Sequence, residues 1–310
     1  MKQALVLSGG SVKGSFQAGA IAEVLNAGFR PQAIYGTSAG SLNGGFLAER
    51  FGRKPGISED EWPRVGEELA AFWQEKITSF KVIGRRRNFI ELGLALLFNT
   101  FDGLLDTRKL HTLVHETLRR EYLHTSPIRL SVCSVDIDSG KAVYADAKHI
   151  DILEFIIAST AIPIAMPVKT IGGVPFVDGG IREVAPLKQA IEEGAEEIVV
   201  IACQPQNMSS IAVERGNAEK LAGRLMDIVT NELLNNDIRR CEAINQLVPE
   251  DGRKVSRGAL KGKRFIRLQV IRPEKELDIE LQKFTSADIR RLIALGRQVA
   301  KESFQANASA

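Results

Sequence analysis

The amino-acid sequence predicts an α/β fold on a mostly parallel sheet, and two observations near its beginning carry this prediction. An apolar run at residues 3–8 is typical of a buried strand, and a glycine-rich turn and a helical pattern at 14–27 follow it. The same order of strand, sharp turn and helix recurs at residues 33–51, with the turn at Ser38. Strands that alternate with helices are typical of parallel sheets with helices on both faces.

The rest of the chain continues this alternation. Further strands are predicted at residues 128–135, 141–145, 174–177, 197–202 and 265–271, the first two as a hairpin. Further helices are predicted at residues 62–80, 107–121, 150–158, 187–194, 217–247 and 286–303. We expect a single domain over residues 1–310, with a helical elaboration at about 52–120 and a C-terminal helix, strand and helix at about 217–304.

Composition excludes several classes of protein. The 310 residues are 44% apolar and 25% charged, which excludes disorder, collagen-like repeats and coiled coil as the main state. The net charge of +3 is too small to indicate a nucleic-acid partner. Three widely spaced cysteines, Cys133, Cys203 and Cys241, favour reduced thiols. No metal-ligand spacing occurs, so we expect neither a metal nor a cofactor.

Apolar segments along the chain are too short for a signal peptide or a membrane span. The first run, residues 4–7, is shorter than the roughly 7–15 apolar residues of a secretory signal. The longest, residues 89–98, has half of the roughly 20 residues that cross a bilayer. We therefore expect a soluble, cytoplasmic protein, with contact to a membrane surface left open.

The sharpest chemical signal is Gly36-Thr37-Ser38-Ala39-Gly40, a G-x-S-x-G motif between a predicted strand and helix. A strand that turns directly into a helix strains the turn residue, and small neighbours let the backbone pass closely. The Ser38 hydroxyl would then stand at a helix N-terminus, which favours a developing anion. Ser38 is our candidate nucleophile; the alternative is an ordinary tight turn.

A nucleophilic serine needs a base, and histidine is a poor candidate here. The last 161 residues contain no histidine, which disfavours the Ser-acid-His order of α/β-hydrolases, although His149 remains open. Asp178-Gly179-Gly180 follows a predicted strand and puts a carboxylate where α/β sheets place ligands. Asp178 could accept the serine proton if its surroundings raise its pKa. The alternative is a capping Asp-Gly turn.

The loop Gly9-Gly10-Ser11-Val12-Lys13-Gly14 is a third candidate. It is neither a P-loop, because its lysine precedes the final glycine, nor a dinucleotide fingerprint, because Ser11 stands where glycine is required. A glycine-rich loop that opens a helix presents backbone N–H groups to an anion. Facing a nucleophilic serine, such groups form an oxyanion hole.

These three motifs, in this order, resemble the patatin-like phospholipase family, and the resemblance spans almost the whole chain. Similar segments also occur at residues 105–110, 158–163, 178–187 and 265–303. The sequence departs from the family pattern at Ser11, Met166 and Val184, where glycine, phenylalanine and asparagine are common.

The resemblance implies a three-layer fold and hydrolysis of lipid esters through an acyl-Ser38 intermediate, without metal or cofactor. Ser38 would be the nucleophile and Asp178 its base. Amides of Gly9, Gly10 and Ser11 would form the oxyanion hole, and Lys13 would orient the loop or face solvent. The alternatives are an acyltransferase or thioesterase that uses the same Ser38 and Asp178, or a non-catalytic lipid-binding protein.

Two segments could contact a membrane. Residues 85–98 join three arginines to an apolar helix, and residues 253–267 hold seven basic residues in fifteen. For the first we favour a buried helix flanked by solvated arginines, and for the second the alternative is a solvated loop. The apolar stripe of residues 217–247 predicts packing, with a dimer seam as its alternative; the oligomeric state is not predicted.

Overall fold

The computed structural model describes residues 2–54, 56–210 and 218–308. Its strands are β1 (Gln3–Leu7), β2 (Ala33–Thr37), β3 (Arg85–Arg86), β4 (Leu105–Asp106), β5 (Arg129–Asp136), β6 (Ala142–Asp146), β7 (Lys169–Ile171), β8 (Val174–Asp178), β9 (Glu197–Ile201) and β10 (Arg267–Ile271). Its helices are α1 (Gly14–Asn26), α2 (Ala39–Gly52), α3 (Glu61–Lys76), α4 (Phe80–Ile83), α5 (Phe89–Leu97), α6 (Arg108–Thr117), α7 (Arg120–Thr125), α8 (Ile152–Ser159), α9 (Leu187–Glu192), α10 (Ala218–Asn245) and α11 (Ser286–Ala308).

The central sheet has the strand order β10-β9-β1-β2-β5-β8-β7, with β6 also paired to β5. The five strands from β10 to β5 run parallel, whereas β5 pairs antiparallel with β6 and β8, and β8 pairs antiparallel with β7. The predicted α/β fold is therefore confirmed, with a mixed sheet whose central strands are parallel.

Helices cover both faces of this sheet, and β1 shows how one strand serves both cores. Leu5 and Leu7 point into a core built with α1, α2, α3 and α11, whereas Ala4 and Val6 point into a core with α9 and α10. Side chains of a strand alternate between faces, so a continuous apolar run is what a strand buried on both faces requires.

Several element boundaries differ from the sequence predictions. The helix predicted at 107–121 is two helices, because Leu118 adopts an extended conformation between α6 and α7. The segment predicted as a helix at 62–80 ends at Lys76, before the short α4. Strands β3, β4 and β7 were not predicted, since two or three residues give no readable pattern. Position 217 of the predicted long helix lies outside the described residues.

Helix α5 is the clearest correction. We favoured a buried helix for this apolar segment, but in the structure Phe89 is 94% and Leu97 72% exposed, and only Ala95 is buried. The helix is held at its start by a capping box between Asn88 and Glu91. Among the helices of the described residues, none is long and apolar enough to cross a membrane.

Candidate active site

Ser38 lies in the sharp turn between β2 and α2. Its φ of 55° and ψ of −124° are a strained conformation for a residue with a side chain. A Cβ at Gly40 would lie 2.4 Å from the Leu7 carbonyl oxygen, and one at Gly36 would lie 2.5 Å from the Gly40 carbonyl oxygen. The turn therefore requires glycine at both positions, as the motif predicts, and it leaves Ser38 buried, with 4% of its surface exposed.

A buried serine on α8 holds this turn in place. The Ser38 amide donates a 2.8 Å hydrogen bond to Ser159 Oγ, and the Ser159 hydroxyl donates to the Cys133 carbonyl oxygen at 2.6 Å. Ser159 thereby ties the turn to the neighbouring strand β5. It falls in one of the segments that resemble the family, but no sequence pattern indicated this contact.

Asp178 reaches Ser38 because β8 runs antiparallel to β5. On β5, Asp178 pairs with Ser134. The preceding residue of β5, Cys133, pairs with Thr37 at the end of β2. The last residue of β8 thus lies beside the residue that follows β2. Asp178 lies at the end of a strand, as the sequence predicts, and this strand runs antiparallel to β5.

The Asp178 carboxyl is buried, and its Oδ1 accepts a 2.7 Å hydrogen bond from the Gly180 amide in the turn Gly179–Ile181. Burial raises the pKa of Asp178 from 3.8 to about 6, while hydrogen bonds with the Ser38 side chain and the Gly180 amide act in the opposite direction. The structure therefore brings the two candidate residues together, with a carboxyl whose pKa lies near neutrality.

Histidine does not take part in this arrangement. His149 Nδ1 accepts a hydrogen bond from the Asp151 amide, and its ring packs edge-on against Phe155. His115 pairs with Glu154 at 3.1 Å. Among the described residues, no histidine contacts Ser38, so Asp178 is the titratable group beside its hydroxyl.

The glycine-rich loop lies against Ser38. A Cβ on Gly9 would lie 3.3 Å from Ser38 Cβ, so loop and turn are in close contact. The Gly9 amide donates to the Val184 carbonyl oxygen at 2.8 Å, which engages one of the three amides that we expected in the oxyanion hole. The amides of Gly10 and Ser11 bond to no acceptor within residues 2–54, 56–210 and 218–308. Ser11 has a positive φ of 53°, in the left-handed region that favours glycine.

Lys13 connects this loop to α10. Its Nζ lies 3.7 Å from Asp227 Oδ1, and its side chain is mostly buried. This contact fits a Lys13 that orients the loop better than one that faces solvent. The next residue, Gly14, begins α1, and its carbonyl oxygen accepts a 3.0 Å hydrogen bond from Asn43 Nδ2 on α2.

A buried polar network supports the loop from below. Gln17 Nε2 donates to the carbonyl oxygens of Ser8 (2.8 Å) and Ile201 (3.0 Å). Asn43 Nδ2 donates to Gln17 Oε1, and Trp73 Nε1 donates to Asn43 Oδ1 at 2.7 Å. Side chains of α1, α2 and α3 thus fix the backbone where the loop begins. Sequence reasoning missed them, although polar residues at otherwise buried helical positions were a readable signal.

The cysteines form no disulfide bond with one another. All three cysteines are free and buried, and burial raises the pKa of Cys203 to about 12. Over the described ranges, no cluster of three or more histidine, cysteine or acidic side chains could hold a metal ion.

The site therefore consists of a serine and an aspartate on an α/β fold. The serine lies in a strained strand-to-helix turn, the aspartate is buried, and a glycine-rich loop lies beside them. The sequence pattern of the patatin-like phospholipase family matches residues 5–191, and this chain belongs to that family. It is 30% identical over 220 residues to the uncharacterized protein YjjU of Escherichia coli strain K12, covering 66% of this chain and 53% of YjjU. This chain therefore spans about half the length of that relative.

Two solved structures are also similar to this chain. VipD from Legionella pneumophila aligns with a TM-score of 0.44 and 12% identity, over 98% of this chain and 67% of VipD. The type III effector protein ExoU aligns with a TM-score of 0.37 and 13% identity, over 98% of this chain and 52% of ExoU.

Proposed function

We propose that this protein is a lipid acyl hydrolase with Ser38 as nucleophile and Asp178 as general base. The observation that carries the proposal is the buried Asp178 carboxyl, with its raised pKa, beside the hydroxyl of a strained serine. A base whose pKa lies near the working pH is both ionised and able to hold a proton. Membership of the patatin-like phospholipase family supports a lipid ester as the substrate.

The reaction proceeds in two steps. Asp178 takes the hydroxyl proton as Ser38 Oγ attacks the ester carbonyl, and the proton passes to the departing alcohol as acyl-Ser38 forms. Asp178 then takes a proton from water as the water attacks the acyl group, and it returns this proton to Ser38 Oγ as the acyl–oxygen bond breaks and the fatty acid departs. In both steps the amides of Gly10 and Ser11 are the donors for the oxyanion, since the Gly9 amide is already bonded to Val184.

The first experiment is labelling with a fluorophosphonate probe, followed by intact mass and peptide mapping. We expect one adduct, on Ser38, in the wild type and none in Ser38→Ala. Asp178→Asn should label far more slowly, because the probe needs an activated hydroxyl. Without an adduct, with or without phospholipid vesicles, the protein would be a non-catalytic lipid-binding member of the family.

The acyl acceptor is tested separately. We expect water to accept the acyl group from a phospholipid, and the released fatty acid to account for all acyl chains consumed. An acyl-alcohol product at equal total turnover would instead identify an acyltransferase. Faster turnover of acyl thioesters than of oxygen esters would identify a thioesterase.

We also propose that α5 binds the surface of a lipid bilayer. Its apolar side chains Phe89, Ile90 and Leu97 are exposed, and apolar helices of this kind insert at the boundary of headgroups and acyl chains. The chain after α5 leads to the site: the Leu104 and Leu105 amides bond to the backbone of residues 164–165, close to where Ala161 accepts the Asp178 amide. An inserted α5 would bring the site to the bilayer.

Vesicle co-sedimentation with Phe89→Ser/Leu97→Ser tests this role. We expect binding to fall at least tenfold, while hydrolysis of a water-soluble ester is unchanged. Leu221→Ser/Leu225→Ser is the matched control, since both leucines are exposed on α10. Equal losses in the two variants, or none in the α5 variant, would refute α5 as the lipid contact.

A further inference from the structure

A cavity lies between α9, α10 and the loop before β10. Its volume is about 260 Å³, and its walls include the apolar side chains of Leu187, Ile191, Cys241, Ile244 and Ile266. Gly194 and Ile266 precede β9 and β10, so the cavity lies where these strands begin. Ser38 follows the opposite, carboxyl end of the parallel strands, and a five-residue strand spans roughly 17 Å. The cavity is therefore not part of the active site.

The rim of this cavity carries an excess of positive charge. Five cationic side chains line it, against the two acids Glu192 and Asp237. Arg264 is bound to Glu196, and Lys188 lies 3.9 Å from Glu192. The other three cations form no ion pair with any described residue; they are Arg240, Lys254 and Lys263. Lys254 and Lys263 belong to the basic segment 253–267, so its charge is gathered partly at this opening.

We propose that this cavity binds a single-chain lipid anion, with its acyl chain against the apolar wall and its charged head among Arg240, Lys254 and Lys263. Apolar walls stabilise a buried hydrocarbon chain, and cationic side chains attract a carboxylate or phosphate head. Arg240 also acts on the Asp237 carboxyl in the same lining, so the cations still outnumber the acids there. The volume lies just below the range of about 300–1,000 Å³ typical of ligand pockets, which suits one short chain rather than a diacyl phospholipid. The proposal concerns binding alone and does not depend on hydrolysis at Ser38.

Cys241 provides a built-in reporter, because it is a free thiol in the cavity wall. Dodecanoate, below its micelle concentration, should slow methanethiosulfonate labelling of Cys241 at least fivefold, measured by peptide mass spectrometry, while the fully buried Cys133 and Cys203 stay unlabelled and show that the protein remains folded. Dodecanol has the same chain without the charge and should protect less. Dodecyl phosphate separates a general anion site from one selective for carboxylate. Equal protection by dodecanol, or none by either anion, would overturn the proposal.

Charge reversal tests the rim. We expect Arg240→Glu/Lys254→Glu/Lys263→Glu to abolish the protection of Cys241. The matched control is Arg253→Glu/Arg257→Glu/Lys261→Glu, which changes the same amount of charge in the loop that carries Lys254 and Lys263, at positions outside the cavity lining. The control should keep the protection. If both triple variants lose it equally, general surface charge explains the effect and the proposed site is wrong.

Cavity filling gives an independent measurement. Ile244→Trp places a larger side chain in the apolar wall. Calorimetric titration of dodecanoate into Ser38→Ala and into Ser38→Ala/Ile244→Trp should differ by one binding site, even if the catalytic site also binds the ligand. An unchanged stoichiometry and affinity in the filled variant would refute the cavity as the binding site.

Discussion

The Ser38 turn and helix α5 are held in opposite ways. Around Ser38 the backbone is packed so closely that Gly40 has no room for a Cβ, and Ser159 fixes the turn through hydrogen bonds. On α5, Gly93 has open space around it, and most of the apolar side chains face solvent. One region is fixed by packing, whereas the other has an apolar surface that the described chain does not cover.

This difference in packing suits the two tasks proposed for these regions, nucleophilic attack at Ser38 and contact with a lipid surface at α5. Nucleophilic attack needs atoms held within a fraction of an ångström, and only a packed, hydrogen-bonded setting provides that. Contact with a fluid lipid surface needs exposed apolar area and no fixed geometry. The contrast predicts that substitutions near Ser38 affect catalysis and stability together, whereas substitutions of the exposed apolar side chains of α5 affect neither in solution.

The largest effect is expected for Asp178→Asn, which keeps the shape of the side chain and removes its basicity. We expect kcat/KM for a water-soluble ester to fall about 10⁴-fold, as in serine hydrolases that lose the carboxylate supporting the nucleophile. In the wild type, kcat/KM should fall as the pH drops through about 6, because protonated Asp178 cannot accept the serine proton. A pH-rate profile of the wild type and of the variant checks both expectations. A wild-type profile that is flat from pH 5 to 8 would contradict the assignment of Asp178 as the base.

The next largest effect is expected for Gly40→Ala. Its Cβ would lie 2.4 Å from a backbone carbonyl oxygen, so the variant should lose about 3 kcal/mol of stability and most of its activity. Gly93→Ala is the matched control on α5, where nothing lies within 4 Å and alanine favours the helix by about 0.5–1 kcal/mol. Thermal unfolding of the two variants compares them directly; similar shifts would mean that the Ser38 turn is not specially packed.

The same Asp178→Asn variant should also be more stable than the wild type at high pH. The pKa of Asp178 in the folded protein is raised, so the ionised form destabilises the fold. This cost is absent below about pH 4 and fully present above about pH 6, where it amounts to about 3 kcal/mol. Urea unfolding should show a difference at pH 8 that disappears near pH 4; a difference independent of pH would contradict the raised pKa.

A smaller effect is expected for Ser159→Ala. Loss of the hydrogen bond to the Ser38 amide should lower kcat about tenfold, with KM unchanged, and destabilise the protein by about 1–3 kcal/mol. Ser134→Ala is the control, since that buried serine bonds to the Phe155 carbonyl oxygen and not to the Ser38 turn. If both variants lose kcat equally, Ser159 has only a structural role.

Local features were predictable from the sequence. The turn at Ser38, the loop at residues 9–14 and the glycines after Asp178 depend on a few neighbouring residues, and the structure places all three at one site. The same holds for the start of α11, where Thr285 and Asp288, three residues apart, form the reciprocal hydrogen bonds of a capping box. In each case steric limits on the backbone act within one turn of chain.

Features that depend on distant packing were not predictable. An apolar run such as residues 89–97 has the same pattern whether other elements cover it or not, so the sequence could not decide that α5 is exposed. The antiparallel direction of β8 follows from its pairing with β5, and the role of Ser159 follows from a contact across 121 residues of sequence. The Gly9 amide and the Val184 carbonyl oxygen, which also form a hydrogen bond, are likewise far apart in the sequence.

The pairing of β8 with β5 also determines when the site can exist. During synthesis, Ser38 leaves the ribosome 140 residues before Asp178, and the glycine-rich loop leaves earlier still. A growing or prematurely terminated chain therefore carries the serine without its carboxylate. Because Asp178 reaches Ser38 only once β8 has paired along β5, the two side chains come together only after residue 178 has been made and folded.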